Sequence, residues 1–270
     1  MAISLASLQQ NTRKPPRILI YGGEGTGKTT FALCEHAPNG PARSDAVAIL
    51  TEDGLGDIEA SHFPLCRTYE AVEEAMGALY SEDHAFKTLV IDSLDWLEPL
   101  IWDYTCRANG WDSIEAPGYG RGYIQCDYTW RRFFEGINAL REDKGMTVIM
   151  IAHQQIVTIA DPELPEYQST EIKLHKRAAA IAKEYTDVIL HARIKTFVAS
   201  DSTKPKANKN DTGRQLATTT GQRIMATQPK PGATAKNRYH LPPELPLDWA
   251  AFQAAMQANV KPTTHPQNEE

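Results

Sequence analysis

Gly22 to Thr29 reads GGEGTGKT, which satisfies G-x-x-x-x-G-K-[ST], the phosphate-binding P-loop. An apolar run, Ile18 to Tyr21, leads into it, and a helix-compatible stretch follows. A strand that turns through glycines into a helix leaves successive backbone N–H groups pointing inward, where they cradle phosphate oxygens. The nucleotide-binding set is therefore Gly22, Gly23, Glu24, Gly25, Thr26, Gly27, Lys28, Thr29 and Thr30. In this reading Lys28 reaches the β- and γ-phosphates as a point charge. The Thr29 hydroxyl sits on a magnesium ion bridging the same phosphates, and Thr30 donates to the α-phosphate. ATP and Mg2+ are the expected cofactors. The competing reading is a glycine-rich strand-to-helix turn with no ligand.

Two carboxylates stand where such chemistry needs them. Lys87 to Asp92, KTLVID, has the Walker B pattern, a strand ending in an aspartate that holds magnesium through its water shell, so Thr29 and Asp92 form the metal set. Ser93 rather than glutamate follows, so the catalytic carboxylate must come from elsewhere. The short apolar run Ala46 to Thr51 delivers Glu52 at the carboxyl end of a second strand, where it can polarise a water facing the γ-phosphate. The alternative for Glu52 is a capping or surface carboxylate within EDGLGD. A fourth buried strand, Thr147 to Ala152, presents His153, Gln154 and Gln155, and an amide there can feel whether the γ-phosphate is present.

The elements that must position these residues alternate as in an α/β domain. Helices are expected over Lys28 to His36, Tyr69 to Tyr80, Leu94 to Asn109, Asp127 to Glu142 and Glu171 to Glu184, with a last one capped by Asp248. Later strands are expected at Thr186 to Leu190, Ala192 to Ala199 and Gln222 to Ala226. Ser113 to Gln125 and Thr158 to Thr170 lack periodicity and read as loops. Glycines at 118, 120 and 122 permit the first to move. Its Tyr119, Arg121 and Tyr123 offer stacking and pairing groups for a single strand, and Lys173 and Lys176 add charge nearby in sequence.

The chain has 270 residues, 41% hydrophobic and 23% charged, which suits one soluble domain with appendages. It contains no run of about eighteen apolar residues, and Met1 to Gln10 is too short and polar for a signal peptide. The four cysteines show no metal or disulfide spacing, as expected of reduced thiols in a cytoplasm. A net charge of −6 argues against coating nucleic acid by bulk electrostatics. Yet from His191 to His240 lysines and arginines are opposed only by Asp201 and Asp211, so this basic stretch faces a polyanion, an acidic face of a neighbouring copy, or only solvent. The expected organisation is an arm over 1–16, a domain over 17–258 with a mobile basic segment at about 200–213, and a disordered tail over 259–270.

Together these residues resemble the RecA-like ATPase core, most closely the phage-encoded RecA-like ATPases grouped with single-strand annealing recombination proteins, over about Arg17 to Pro242. Glu24 in GGEGTGKTT, TEDGLGD at Thr51 to Asp57 and VIDS at Val90 to Ser93 carry the likeness. The resemblance implies a RecA-like P-loop fold, a central mostly parallel sheet with helices on both faces. It makes Glu52 the base and the region around Gly118 to Tyr123 the first DNA-binding loop. Ile156 to Ser169 becomes the second, and His153 and Gln154 fall at the asparagine-glutamine pair that couples the γ-phosphate to it. His153 departs from that pattern. Lys236, Asn237 and Arg238 are similar to a lysine-asparagine-arginine motif whose basic side chains reach a neighbouring subunit's nucleotide, so the catalytic set is Glu52, Gln154, Lys236 and Arg238. The implied function is a magnesium-dependent ATPase that binds single-stranded DNA and promotes annealing or recombination, with sites completed between protomers of a filament or ring. The implied partners are single-stranded DNA, itself and a single-strand DNA-binding protein, in a phage host's cytoplasm and with no membrane. The rival readings are a helicase- or loader-type motor acting on a protein partner, and a nucleotide-gated DNA-binding module with incidental hydrolysis.

Overall fold

Runs of apolar residues without polar alternation require strands covered on both faces, and here they build the middle of one sheet. In the computed structural model, which describes residues 4–8, 12–163, 165–200 and 215–258, the order along the chain is as follows. Strand β1 (Arg17–Gly22) leads to α1 (Lys28–Leu33), then β2 (Ala46–Leu50), β3 (Ser61–His62), α2 (Tyr69–Ser81) and β4 (Thr88–Asp92). Helices α3 (Leu94–Asn109) and α4 (Arg121–Asp143) precede β5 (Thr147–Ile159), β6 (Tyr167–Ile172), α5 (Lys176–Tyr185) and β7 (Val188–Ser200). The chain closes with β8 (Gln215–Ala226), β9 (Lys236–Asn237), β10 (Glu244–Pro246) and α6 (Trp249–Ala258).

The sheet order is β10-β8-β7-β1-β5-β4-β2-β3, with β6 beside β5 and β9 beside β7. Pairs among β3, β2, β4, β5, β1 and β7 are parallel, and β8 and β10 join antiparallel at one edge. Helices cover both faces. Phe31 of α1 packs edge-on against Trp249 and Phe252 of α6 on one side. On the other, Tyr69, Leu97, Trp130, Phe134 and Ile181 bring α2, α3, α4 and α5 into a single core. The expected α/β fold with a mostly parallel central sheet is the fold observed.

Several local expectations are corrected. Ser113 to Gln125 is not all loop, because α4 begins at Arg121, six residues ahead of the expected start. Gly118, Tyr119 and Gly120 make a left-handed turn, and Gly122 then lies so close to the Ile114 carbonyl that a Cβ would come within 2.0 Å of its oxygen. The glycines that read as mobility are a helix entry and a close approach. Tyr119 is exposed at the turn, whereas Tyr123 sits in the first turn of α4, stacked on His175 at 4.1 Å and donating to Glu115 Oε1 at 2.5 Å. Thr158 to Thr170 is likewise not all loop: β5 continues to Ile159 and pairs with β6, which begins at Tyr167, as a hairpin, favoured by the β-branched run Ile156 to Ile159. Glu171 and Ile172 belong to that hairpin, so α5 starts at Lys176. Lys173 lies between the two elements, 3.8 Å from Asp95 Oδ2. One strand, β7, replaces the two expected, and α1 stops at Leu33. Arg13, Lys14 and Pro15 of the arm rest on this same domain, through Met256 O, Glu142 and Arg141 respectively. Lys204, Lys206 and Lys209 of the basic segment, and the tail 259–270, lie outside the described residues.

Glu98 of α3 holds the entry to α5. Both its carboxylate oxygens lie 3.0 Å from the backbone N of His175, the N-cap residue. Burial pushes its pKa up from 4.5 to about 7, against the lowering effect of that hydrogen bond. A folded-state pKa above the unfolded one means the folded protein binds the proton more tightly, so stability is greatest at low pH and declines as pH rises from about 4.5 to 7. Glu98→Gln keeps the acceptor and removes the charge. It is expected to flatten this decline and to stabilise the protein at pH 8 by on the order of 2 kcal/mol. Urea unfolding at pH 5 and pH 8 measures this, and an unchanged pH slope would contradict it.

Candidate functional site

β1 is central, flanked by β5 and β7, and its last residue opens the glycine turn. Gly22 is required by contact, since a Cβ there would fall 2.2 Å from the Ala192 oxygen of β7. Gly27 is required by conformation, with φ +97° at the N-cap of α1. The Thr26 hydroxyl donates to Gly23 O at 2.9 Å and tightens the turn. Lys28 is buried, its Nζ donating to the carbonyls of Gly22 at 3.1 Å and Gly23 at 2.9 Å, and burial lowers its pKa.

The carboxylates converge from the strands beyond β5. Asp92 ends β4 in a buried position and accepts from the Thr29 hydroxyl at 2.8 Å. Burial raises its pKa to about 6, opposed chiefly by that hydrogen bond. Glu52 follows β2, and its Oε1 accepts from the Ser93 hydroxyl at 2.5 Å. Ser93 is itself fixed by Thr51, whose hydroxyl donates to Ser93 O at 2.7 Å and accepts from Ser93 N at 2.9 Å. The serine that follows Asp92 therefore positions Glu52, a link invisible in the chain's order.

Midway along β5, His153 donates its backbone N–H to Asp95 Oδ1 and shares a 2.9 Å contact between Nδ1 and Oδ2 of the same carboxylate. Gln154 lies beside the P-loop, its Nε2 3.6 Å from where a Gly23 Cβ would be. A cavity of about 440 Å³ gathers Lys28, Thr29, Thr30, Glu52, Asp92 and His153, with Leu55 and Ile58 as its apolar wall.

Among the described residues no group of three or more His, Cys, Asp and Glu is arranged to hold a metal alone. The adjacent Thr29 and Asp92 oxygens fit a magnesium ion that takes its remaining oxygens from phosphate and water. Lys28 can exchange its two carbonyl partners for phosphate oxygens, and Glu52 has a second carboxylate oxygen to orient a water.

The other expected residues are distributed differently. Lys236 and Asn237 pair with Ile189 and Val188, at the end of β7 away from the P-loop. Lys236 Nζ donates to Lys183 O at 2.6 Å, and Arg238 pairs with Asp187 at 3.0 Å. Neither joins the cavity of its own chain. Tyr119, Arg121, Tyr123, Lys173 and Lys176 are outside it as well. Sequence reasoning missed Asp95, which reads as an ordinary first-turn acid of α3, and Arg223, which lines the cavity from β8. Only the folded sheet order brings either one to the site.

A family model described as an AAA domain (AAA_24) matches residues 14–239. No curated protein matches the chain. Among solved structures, the crystal structure of the RadB recombinase is similar at 12% identity with a TM-score of 0.44, covering 88% of this chain and 90% of that one. Among the described residues no helix is long and apolar enough to cross a membrane.

Proposed function

The chain belongs to the AAA domain family and folds as a P-loop α/β domain with a mostly parallel central sheet, and from that premise we propose that it is a RecA-like, magnesium-dependent ATPase that grips single-stranded DNA according to its nucleotide state and promotes annealing. The observation that carries this reading is the continuity of β5. Ile151 and His153 line the cavity, and the same strand runs on to Ile159 as one arm of the β5–β6 hairpin. A shift at the γ-phosphate end of the cavity would reach the hairpin through a single rigid strand. Helix α3 holds the first arm through Asp95 at His153, and the entry to α5 just after the second arm through Glu98 at His175.

In the proposed reaction a water, oriented by Glu52, attacks the γ-phosphate in line with the leaving β-phosphate oxygen. Lys28 neutralises charge developing on the β- and γ-oxygens. Thr29 and Asp92 would hold the magnesium ion, which when bound would supply Lewis-acid stabilisation to the phosphates. Gln154 reports whether the γ-phosphate is present. Lys236 and Arg238, at the opposite end of the sheet from the P-loop, would complete the site of an adjacent copy packed head to tail.

Anisotropy of a labelled oligothymidylate tests the DNA part of this reading. Affinity is expected to be at least tenfold tighter with a non-hydrolysable ATP analogue than with ADP, and to exceed affinity for duplex DNA. Equal affinity in all nucleotide states would contradict it.

A further inference from the structure

One charged side chain in the cavity has no partner in the described protein. Arg223 lies on β8, opposite Ile194 of β7, two residues before Met225, which faces Ala192. Residues 223 and 225 point to one face of the sheet, and Met225 is buried in the core shared with Phe31, Leu247 and Trp249. Arg223 therefore emerges on the α1 side, next to the P-loop. A Cβ on Gly27 would lie 3.2 Å from its Nη1 and 3.8 Å from its Cζ, so the guanidinium rests against the loop backbone one residue before Lys28.

The arginine and lysine of the adjoining strand that flank it are paired. Glu244 bridges Arg193 at 3.2 Å and Lys195 at 2.6 Å on the adjoining strand. At the opposite end of the sheet, Arg17 and Arg238 share Asp187, and Arg43 pairs with Asp45. Among the described residues no carboxylate pairs with Arg223 and no hydrogen bond forms from its guanidinium. It is half-buried between the P-loop cavity and a second cavity of about 390 Å³ lined by Pro38, Gly221, Leu247 and Asp248. An unpaired guanidinium in that setting presents a planar fork of donors suited to phosphate oxygens.

We propose that Arg223 is a nucleotide-binding residue acting within its own protomer, holding the α- and β-phosphates from the outer flank of the P-loop. This rests on the nucleotide-site reading above. The side it takes follows from strand order. Glu52 and Asp92 come from β2 and β4 on one flank of β1 and fix the γ-phosphate end there. Arg223 comes from β8 on the other flank, so its contacts fall on phosphates that ATP and ADP share. It binds substrate and transition state alike and acts on affinity.

The test is titration of fluorescent ADP and of a fluorescent non-hydrolysable ATP analogue into the wild type, Arg223→Ala and Arg223→Lys, with thermal melts of each free protein. Removing one charge-assisted contact should weaken both nucleotides by a similar factor, roughly 10- to 100-fold. Arg223→Lys should recover part of the loss, and in steady-state hydrolysis the effect should fall on KM rather than kcat. A variant that melts like the wild type and binds ADP equally well would overturn this assignment while leaving the nucleotide site standing. A loss confined to the ATP analogue would overturn it too, placing Arg223 at the γ-phosphate. If the wild type binds neither nucleotide, the nucleotide-site reading falls and the assignment falls with it.

Discussion

Glu52→Gln is expected to bind ATP with near-parental affinity and to hydrolyse it between about 10² and 10⁴ times more slowly, the range by which a positioned general base accelerates proton transfer. The substitution is close to isosteric. The amide oxygen can still accept from Ser93, as Oε1 does at 2.5 Å, so the side chain stays where the β2 end puts it. What is lost is the negative charge and the second acceptor oxygen facing the cavity. The carboxylate charge also raises the pKa of Asp92, so removing it eases ionisation of the aspartate proposed to hold magnesium rather than impairing it. Nucleotide affinity and hydrolysis should thus separate. Single-turnover hydrolysis, measured beside equilibrium binding, reads both. Parental turnover in this variant would remove Glu52 from the mechanism.

Gly22→Ala should be the most damaging small substitution in the P-loop, destabilising the fold by at least about 2 kcal/mol and abolishing nucleotide binding. The new methyl would sit 2.2 Å from the Ala192 carbonyl oxygen and 3.1 Å from its carbon. Both are backbone atoms of a strand fixed on its far side by β8, so neither can turn aside as a side chain would. β1 and β7 must separate where the loop begins. Gly25→Ala is the instructive contrast. Nothing lies within 4 Å of that Cβ, and only the φ of +68° opposes it, which costs about 1–2 kcal/mol of local strain. Thermal melts and nucleotide binding of the two variants should rank them in that order. Equal behaviour would show that the β1–β7 approach does not govern the loop.

The parts of the site legible in the sequence are those whose chemistry is local. The P-loop and Asp92 each occupy a few adjacent residues, and Glu52 stands out because Ser93 denies the adjacent position a carboxylate. The structure brings all three to one cavity. Residues that depend on sheet order were not legible. Arg223 is some two hundred residues from Gly27, and nothing near it signals a ligand. Asp95 reaches His153 only because α3 packs over the middle of β5. The hairpin escaped for another reason. Its strands are joined through Asp161, Pro162 and Pro165, turn-formers that make the whole stretch read as loop, and its polar residues do not alternate as in a half-buried strand. In the entry to α4, glycine composition suggested motion, whereas Gly122 is held against Ile114.

ATP hydrolysis with and without an oligothymidylate over a range of protein concentrations, with Lys28→Ala as the control, decides whether the protein is an ATPase responsive to single-stranded DNA. The expected rate rises with DNA and more than linearly with protein, and vanishes when Lys28 is removed. A DNA-indifferent rate, linear in protein, would contradict it and make the chain a self-contained nucleotidase.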